Sequence, residues 1–212
     1  MKKMFKHMDD DSEEGGVSSM SENVSVLGNH IYFYTEVTKK TALELIKNIK
    51  ELADNIRTIE IHNGKDNLYE DNDDDDDKVT YNPIYLHINS GGGCLFSCMS
   101  IIDTIKNCKV PVYTIGEGQI ASAASIMLLA GNKRFMTENS FILIHELRTY
   151  VSGTYSNLED DYENSKLLMK KMIKYYKKNS KIPEKVLQTL LKKDIYIDSK
   201  KSKKYGLIDK IV

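Results

Sequence analysis

The segment Pro83-Ile-Tyr-Leu-His-Ile-Asn89 runs through Ser90 into three consecutive glycines, Gly91, Gly92 and Gly93. Its apolar, β-branched character between turn residues predicts a strand. Apolar residues then recur every three or four positions over 95–105, predicting a helix, and Val110-Pro-Val-Tyr-Thr-Ile115 predicts a second strand. A strand, a helix and a strand in that order make a βαβ unit, so the chain is constrained to an α/β fold with a largely parallel sheet. The alternation extends both ways. His30-Ile-Tyr-Phe-Tyr34 reads as a strand and 41–52 as a helix. Downstream, a helix begins near Ser122 and runs to 129, strands fall at 134–136 and 141–144, and a long helix covers about 158–179. Pro183 suits the opening turn of one more helix, and 207–212 returns as a strand.

With 212 residues, 41% of them hydrophobic, one core in a single domain spanning 28–212 is expected. Residues 1–27 are poor in large apolar groups and predict a disordered tail. A second such stretch, about 64–82, carries Asp73, Asp74, Asp75, Asp76 and Asp77, whose repulsion predicts an extended, solvated loop insertion; docking to a basic partner is the alternative reading. The net charge of −1 gives no general attraction for nucleic acid or an anionic membrane. The apolar stretch 121–130 falls far short of the ~18 residues of a membrane span, and no basic-then-apolar leader opens the sequence, so a cytoplasmic protein is expected. Cys94, Cys98 and Cys108 lack a metal-type spacing and sit among apolar residues, which predicts reduced, buried thiols and no structural zinc.

Two glycine-containing loops follow strands, and ligands bind α/β sheets beyond the strand ends. The loop 89–93 opens a helix, where unpaired amides can hold an oxyanion; it lacks the Lys-Ser/Thr ending of a phosphate loop and the spacing GxGxxG. The loop 116–125 sets Ser122 among small residues at the start of a helix, where the Ala123 amide would favour negative charge on an attacked carbonyl. An N-cap serine on a packing helix is the plainer reading, and Ser125 is the competing nucleophile, one turn inside the helix. Of five histidines, His145 alone ends an apolar strand beside this edge; His7 falls in the tail, His62 borders the acidic insertion, His30 opens a strand and His87 lies within one. A base needs a carboxylate to fix its tautomer, and Asp160, Asp161, Asp194, Asp198 and Asp209 are the downstream candidates. Asp194 lies between a helix and apolar Ile195-Tyr-Ile197, where partial burial is expected.

Taken together, Asn89-Ser90, Gly92-Gly93, Gly118-Gln-Ile-Ala-Ser122, Asn139-Ser-Phe-Ile-Leu-Ile-His145 and Tyr205-Gly-Leu-Ile-Asp209 resemble, in order, the motifs of the ClpP family of serine peptidases over about 28–212. The order Ser, His, Asp differs from the trypsin, subtilisin and α/β-hydrolase orders. The resemblance implies a ClpP/crotonase-like fold, a spiral of ββα units with a protruding handle helix matching 158–179. It implies Ser122 as nucleophile, His145 as base and Asp194 as third member, with the Gly93 and Ala123 amides as oxyanion hole. It further implies water-dependent peptide hydrolysis without cofactor, stacked heptameric rings built of one chain or mixed with a paralogue, and unfolded polypeptides delivered by an AAA+ ATPase.

The family pattern has proline at Gly91, methionine at Ala123, Gln-Pro at Glu146-Leu147 and arginines around Asp194, where Lys193 and Ile195 stand here. Neither the N-terminal segment nor the acidic insertion follows it. A non-catalytic ring subunit or adaptor is therefore the alternative function, and an acyl-CoA enzyme of the crotonase fold a more remote one. Ser–Lys relatives would need a lysine that no obvious position supplies.

Overall fold

The computed structural model describes residues 24–56, 58–59 and 80–212. In chain order the elements are β1 (Val24–Leu27), β2 (His30–Phe33), α1 (Lys39–Asn55), β3 (Thr58–Ile59), β4 (Thr80–Tyr81), β5 (Ile84–Ser90), α2 (Leu95–Lys106) and β6 (Val112–Ala121), then α3 (Ala123–Leu128), β7 (Arg134–Met136), β8 (Phe141–Leu143), α4 (Tyr155–Asn179), α5 (Glu184–Leu191), β9 (Tyr196–Asp198), α6 (Ser199–Lys204) and β10 (Lys210–Ile211). The main sheet runs β1-β2-β5-β6-β7-β10, and a branch carries β8 on β6 and β9 on β8. All pairings of β2, β5, β6, β7, β8 and β10 with one another are parallel, while β1 and β9 add antiparallel edges. This is the α/β architecture that the strand–helix alternation predicts.

Sequence pattern explains the local structures. Helix α1 begins where Thr38 and Thr41 cap each other's backbone amides, and Thr154 and Asn157 do the same for α4. Strand β5 is buried almost throughout, with Ile84, Leu86 and Ile88 fully enclosed. Helices α1 and α2 lay Leu45, Ile49, Ile101 and Ile105 against it in one continuous core that also takes in Ile126, Met172, Tyr176 and Leu187. The opposite face carries a separate aromatic cluster of Tyr85, Phe135 and Tyr113 around Ile115.

Four expectations are corrected. The tail was expected to reach 27, but Val24–Leu27 pairs with β2 in antiparallel register, because the Gly28-Asn29 turn lets the chain fold back on itself. Residues 1–23 and most of the acidic insertion lie outside the described residues; its last residues, Thr80–Tyr81, form β4. Residues 116–121, expected as loop, continue β6: the register slips between Ile88 and Ser90, and the second half of β6 finds a new partner in β8. Gly118, at φ +61°, permits the bend. Of the three free thiols only Cys98 is buried, donating to the Ala123 carbonyl at 3.1 Å and pushed up to about 12 by burial; Cys94 and Cys108 are half-buried. No described helix is long and apolar enough to cross a membrane.

Candidate active site

Strand β6 ends at Ala121 and α3 starts at Ala123, so Ser122 alone turns the chain. Its φ of 55° makes it the single non-glycine residue with positive φ among the described residues. Such a conformation costs on the order of 1–3 kcal/mol and persists only where surroundings over-determine it. They do so here: the Ser122 amide donates to the Leu143 carbonyl at 2.9 Å, its carbonyl accepts the Ser125 amide at 3.0 Å, and the glycine loop presses from the other side. A Cβ on Gly92 would stand 2.6 Å from Ser122 Cβ and 3.0 Å from the Ala123 nitrogen. One on Gly93 would stand 2.4 Å from the Val37 carbonyl oxygen. That loop is clamped by two hydrogen bonds of 2.7 Å, from the Val37 amide to the Gly92 carbonyl and from the Cys94 amide to the Val37 carbonyl. Among the described residues the Gly93 and Ala123 amides have no hydrogen-bond partner.

Ser125 is excluded as an accessible nucleophile by burial. Its hydroxyl donates to the Ser122 carbonyl at 2.6 Å and meets the Tyr176 hydroxyl at 2.6 Å. Sequence spacing already placed it inside the helix; its tyrosine partner, fifty-one positions away, was not visible there.

His145 follows β8 and is half-buried. A cavity of about 710 Å³ gathers Ser122, Ala123, Gly93 and His145, with Ile126, Leu168 and Met172 among its apolar walls. His145 Nδ1 lies 2.6 Å from the Glu146 carbonyl oxygen. A carbonyl can only accept, so Nδ1 carries the proton and Nε2 keeps the lone pair of a base. Glu146, foreign to the family pattern, meets the histidine through its backbone, and its own amide is pinned to the Leu191 carbonyl at 2.9 Å. No hydrogen bond joins Ser122 to His145 or His145 to Asp194 among the described residues.

The five aspartates separate by their contacts. Asp209 makes a two-point ion pair with Arg134, its Oδ1 2.5 Å from Nη2 and its Oδ2 3.2 Å from Nε. Asp198 caps α6, accepting the Lys201 amide at 2.7 Å. Asp160 is exposed on α4, and Asp161, one residue on, borders the cavity. Asp194 is exposed where partial burial was expected, because α5 ends three residues earlier and its carboxylate reaches out to Arg148, Oδ2 2.5 Å from Nη2. Arg148 itself was not singled out in the sequence; an arginine three residues beyond the candidate base was the available signal.

A serine held at a strained strand-to-helix turn, above a glycine loop with free amides and sharing a cleft with a histidine, defines an α/β protein with the parts of a serine-nucleophile site. Residues 74–212 match the sequence model of the Clp protease family, and the chain belongs to that family. It is 38% identical over 131 residues to the ATP-dependent Clp protease proteolytic subunit 2 of Treponema denticola, covering 61% of this chain and 66% of that one. Against the ATP-dependent Clp protease proteolytic subunit of Cyanophora paradoxa it is 34% identical over 149 residues, 68% of this chain and 73% of the relative. Against that of Deinococcus radiodurans it is 31% identical over 131 residues, 61% and 64% respectively. The chain thus spans about two thirds of the length of these curated relatives.

Proposed function

We propose that this protein is a serine endopeptidase, the proteolytic subunit of a Clp-type assembly. The observation that carries the reading is the strained Ser122 turn packed on Gly92 and facing the same cavity as His145. In the reaction His145 Nε2 takes the Ser122 proton as the hydroxyl oxygen attacks the peptide carbonyl. The Gly93 and Ala123 amides receive the oxyanion, and the cationic imidazole formed is stabilised by Asp194 once that carboxylate leaves Arg148. The tetrahedral intermediate expels the amine, which takes the proton from His145. Water then hydrolyses the acyl-enzyme by the same route, so no cofactor or metal enters.

Family membership supports a reading of the oligomer, partners and compartment. On α4, Leu158, Tyr162 and Leu167 are exposed while Met172 and Tyr176 are buried, so the first half of the helix leaves the body with apolar groups uncovered. That half suits a helix of a second ring, in the manner of a handle; rings of seven, of one chain or mixed with a paralogue, would enclose the sites. Unfolded polypeptide is the substrate, an AAA+ ATPase its supplier, and the cytoplasm the setting; neither nucleic acid nor membrane has a part.

A second reading has an observation of its own. With Asp194 held by Arg148 and His145 by Glu146, the chain also fits a non-catalytic ring subunit. Mass spectrometry after treatment with a fluorophosphonate separates the two. An adduct on Ser122, absent from Ser122→Ala, supports the peptidase; no adduct on the assembled oligomer, with or without a Clp ATPase, supports the non-catalytic subunit.

A further inference from the structure

Away from the active-site cleft, a cavity of about 360 Å³ lies between the ends of α2 and α4, the turn after α3 and the start of β7. Lys106, Arg134, Lys178 and Lys181 line it, against one carboxylate, Asp209. That carboxylate is already engaged by Arg134 at both oxygens. Arg134 is in turn fixed, its Nη1 donating to the Asn179 carbonyl at 2.6 Å and the Gly206 carbonyl at 3.1 Å, so the ion pair forms a rigid wall and leaves the three lysines uncompensated. Among the described residues no carboxylate pairs with Lys106, Lys178 or Lys181. Asn132 adds a donor: its Oδ1 accepts the Val112 amide at 2.9 Å, which turns the amide group so that Nδ2 remains available.

Like charges on long, flexible side chains ordinarily diverge into water. Here Lys106, Lys178 and Lys181, though exposed, line one cavity, and partial desolvation there, followed by the charges of Arg134 and Lys178, lowers the pKa of Lys106 from its ordinary value. A multiply charged anion bound among them would reverse that repulsion. The lining includes no aromatic ring, and its single large apolar side chain is Leu129, so nothing there would stack on a nucleobase.

We propose that this cavity is a binding site for a small polyphosphate anion, read through its phosphate oxygens by Lys106, Lys178, Lys181 and Asn132. The site is separate from Ser122 and does not depend on the peptidase reading.

Isothermal titration calorimetry of the full chain, with pyrophosphate and tripolyphosphate as probes, tests it. Saturable binding is expected that weakens with added salt and falls by about tenfold or more in Lys106→Gln/Lys178→Gln, a variant whose circular dichroism should match the parent because neither lysine carries a described packing contact. Absence of saturable binding overturns the proposal. So does binding that the double substitution leaves unchanged, since the anion would then sit elsewhere. Adenosine triphosphate binding more tightly than tripolyphosphate, or an oligo-aspartate peptide binding more tightly than either, overturns the ligand class.

Discussion

The Asp194 carboxylate lies 2.5 Å from Arg148 Nη2, while the His145 nitrogen it would orient donates to the Glu146 carbonyl. In the proposed mechanism, Arg148 and His145 would compete for one carboxylate. Both members of the ion pair are more than half exposed, and such pairs contribute about 0.2–1 kcal/mol. That is small enough for a conformational change or a neighbouring subunit to displace. Arg148→Gln is expected to raise kcat on a fluorogenic peptide by about two- to fivefold, and Asp194→Asn to lower it by about 10³–10⁴-fold. A wild-type rate in Asp194→Asn would mean that the Glu146 carbonyl alone orients the base.

Ser122 and Ser125 should behave oppositely on substitution. Ser122→Ala removes the hydroxyl proposed to attack the substrate and should abolish turnover with the unfolding midpoint nearly unchanged. Ser125→Ala leaves the proposed nucleophile but takes a partner from the buried Tyr176 hydroxyl, at a cost of about 1–3 kcal/mol. Denaturant titration and fluorophosphonate labelling, run on both variants, read the two effects separately.

The contrast shows what was legible in the sequence. The βαβ rhythm and the positions of Ser122 and His145 could be read from periodicity and turn chemistry, which are local properties. The extension of β6 through Gly116 and Gly118 could not, because it depends on a pairing with β8 that local propensity does not encode. Nor could the choice among the aspartates: Asp209 and Asp198 are set aside by contacts with Arg134 and the Lys201 amide, and Asp194 is exposed because of where α5 stops. Resemblance selected Asp194 where spacing left five candidates.

Gly92 is the residue on which the site's shape depends most narrowly. At φ +97°, with Ser122 Cβ 2.6 Å and the Ala121 carbonyl oxygen 2.7 Å from the position of a Cβ, alanine would combine backbone strain with overlap against the serine turn. Gly92→Ala should destabilise by at least about 1–3 kcal/mol and slow labelling of Ser122 more than the stability loss alone accounts for. Gly91, with nothing nearer than 3.9 Å, should accept alanine with labelling unchanged.

The face of the sheet opposite the helices supplies a prediction about pH. His30 Nδ1 lies 2.9 Å from His87 Nε2, His87 Nδ1 lies 2.8 Å from Glu117 Oε1, and the Tyr34 hydroxyl donates to Glu117 Oε2. Tyr32 from β2, Tyr34 just beyond it, Tyr85 from β5, Tyr113 from β6 and Lys133, whose Nζ lies 5.4 Å from the Tyr113 ring centroid, are further titratable groups on this face. A carboxylate can only accept, so His87 donates from Nδ1 to one Glu117 oxygen as Tyr34 donates to the other. Burial, and then the charge of His87, hold His30 below 6.5. Burial would raise Glu117, but the hydrogen bonds from His87 and Tyr34 and the charges of both histidines outweigh it and hold the carboxyl below 4.5. In each case the unfolded chain binds the proton more readily, so stability is complete above the unfolded value and is lost as pH falls toward and through the folded one. Thermal melting should therefore lose stability first below about pH 6.5, from His30, and again below about pH 4.5, from Glu117. His30→Gln should flatten the first limb and Glu117→Gln the second; a melting curve of unaltered pH dependence in both variants would show that the network does not govern acid stability.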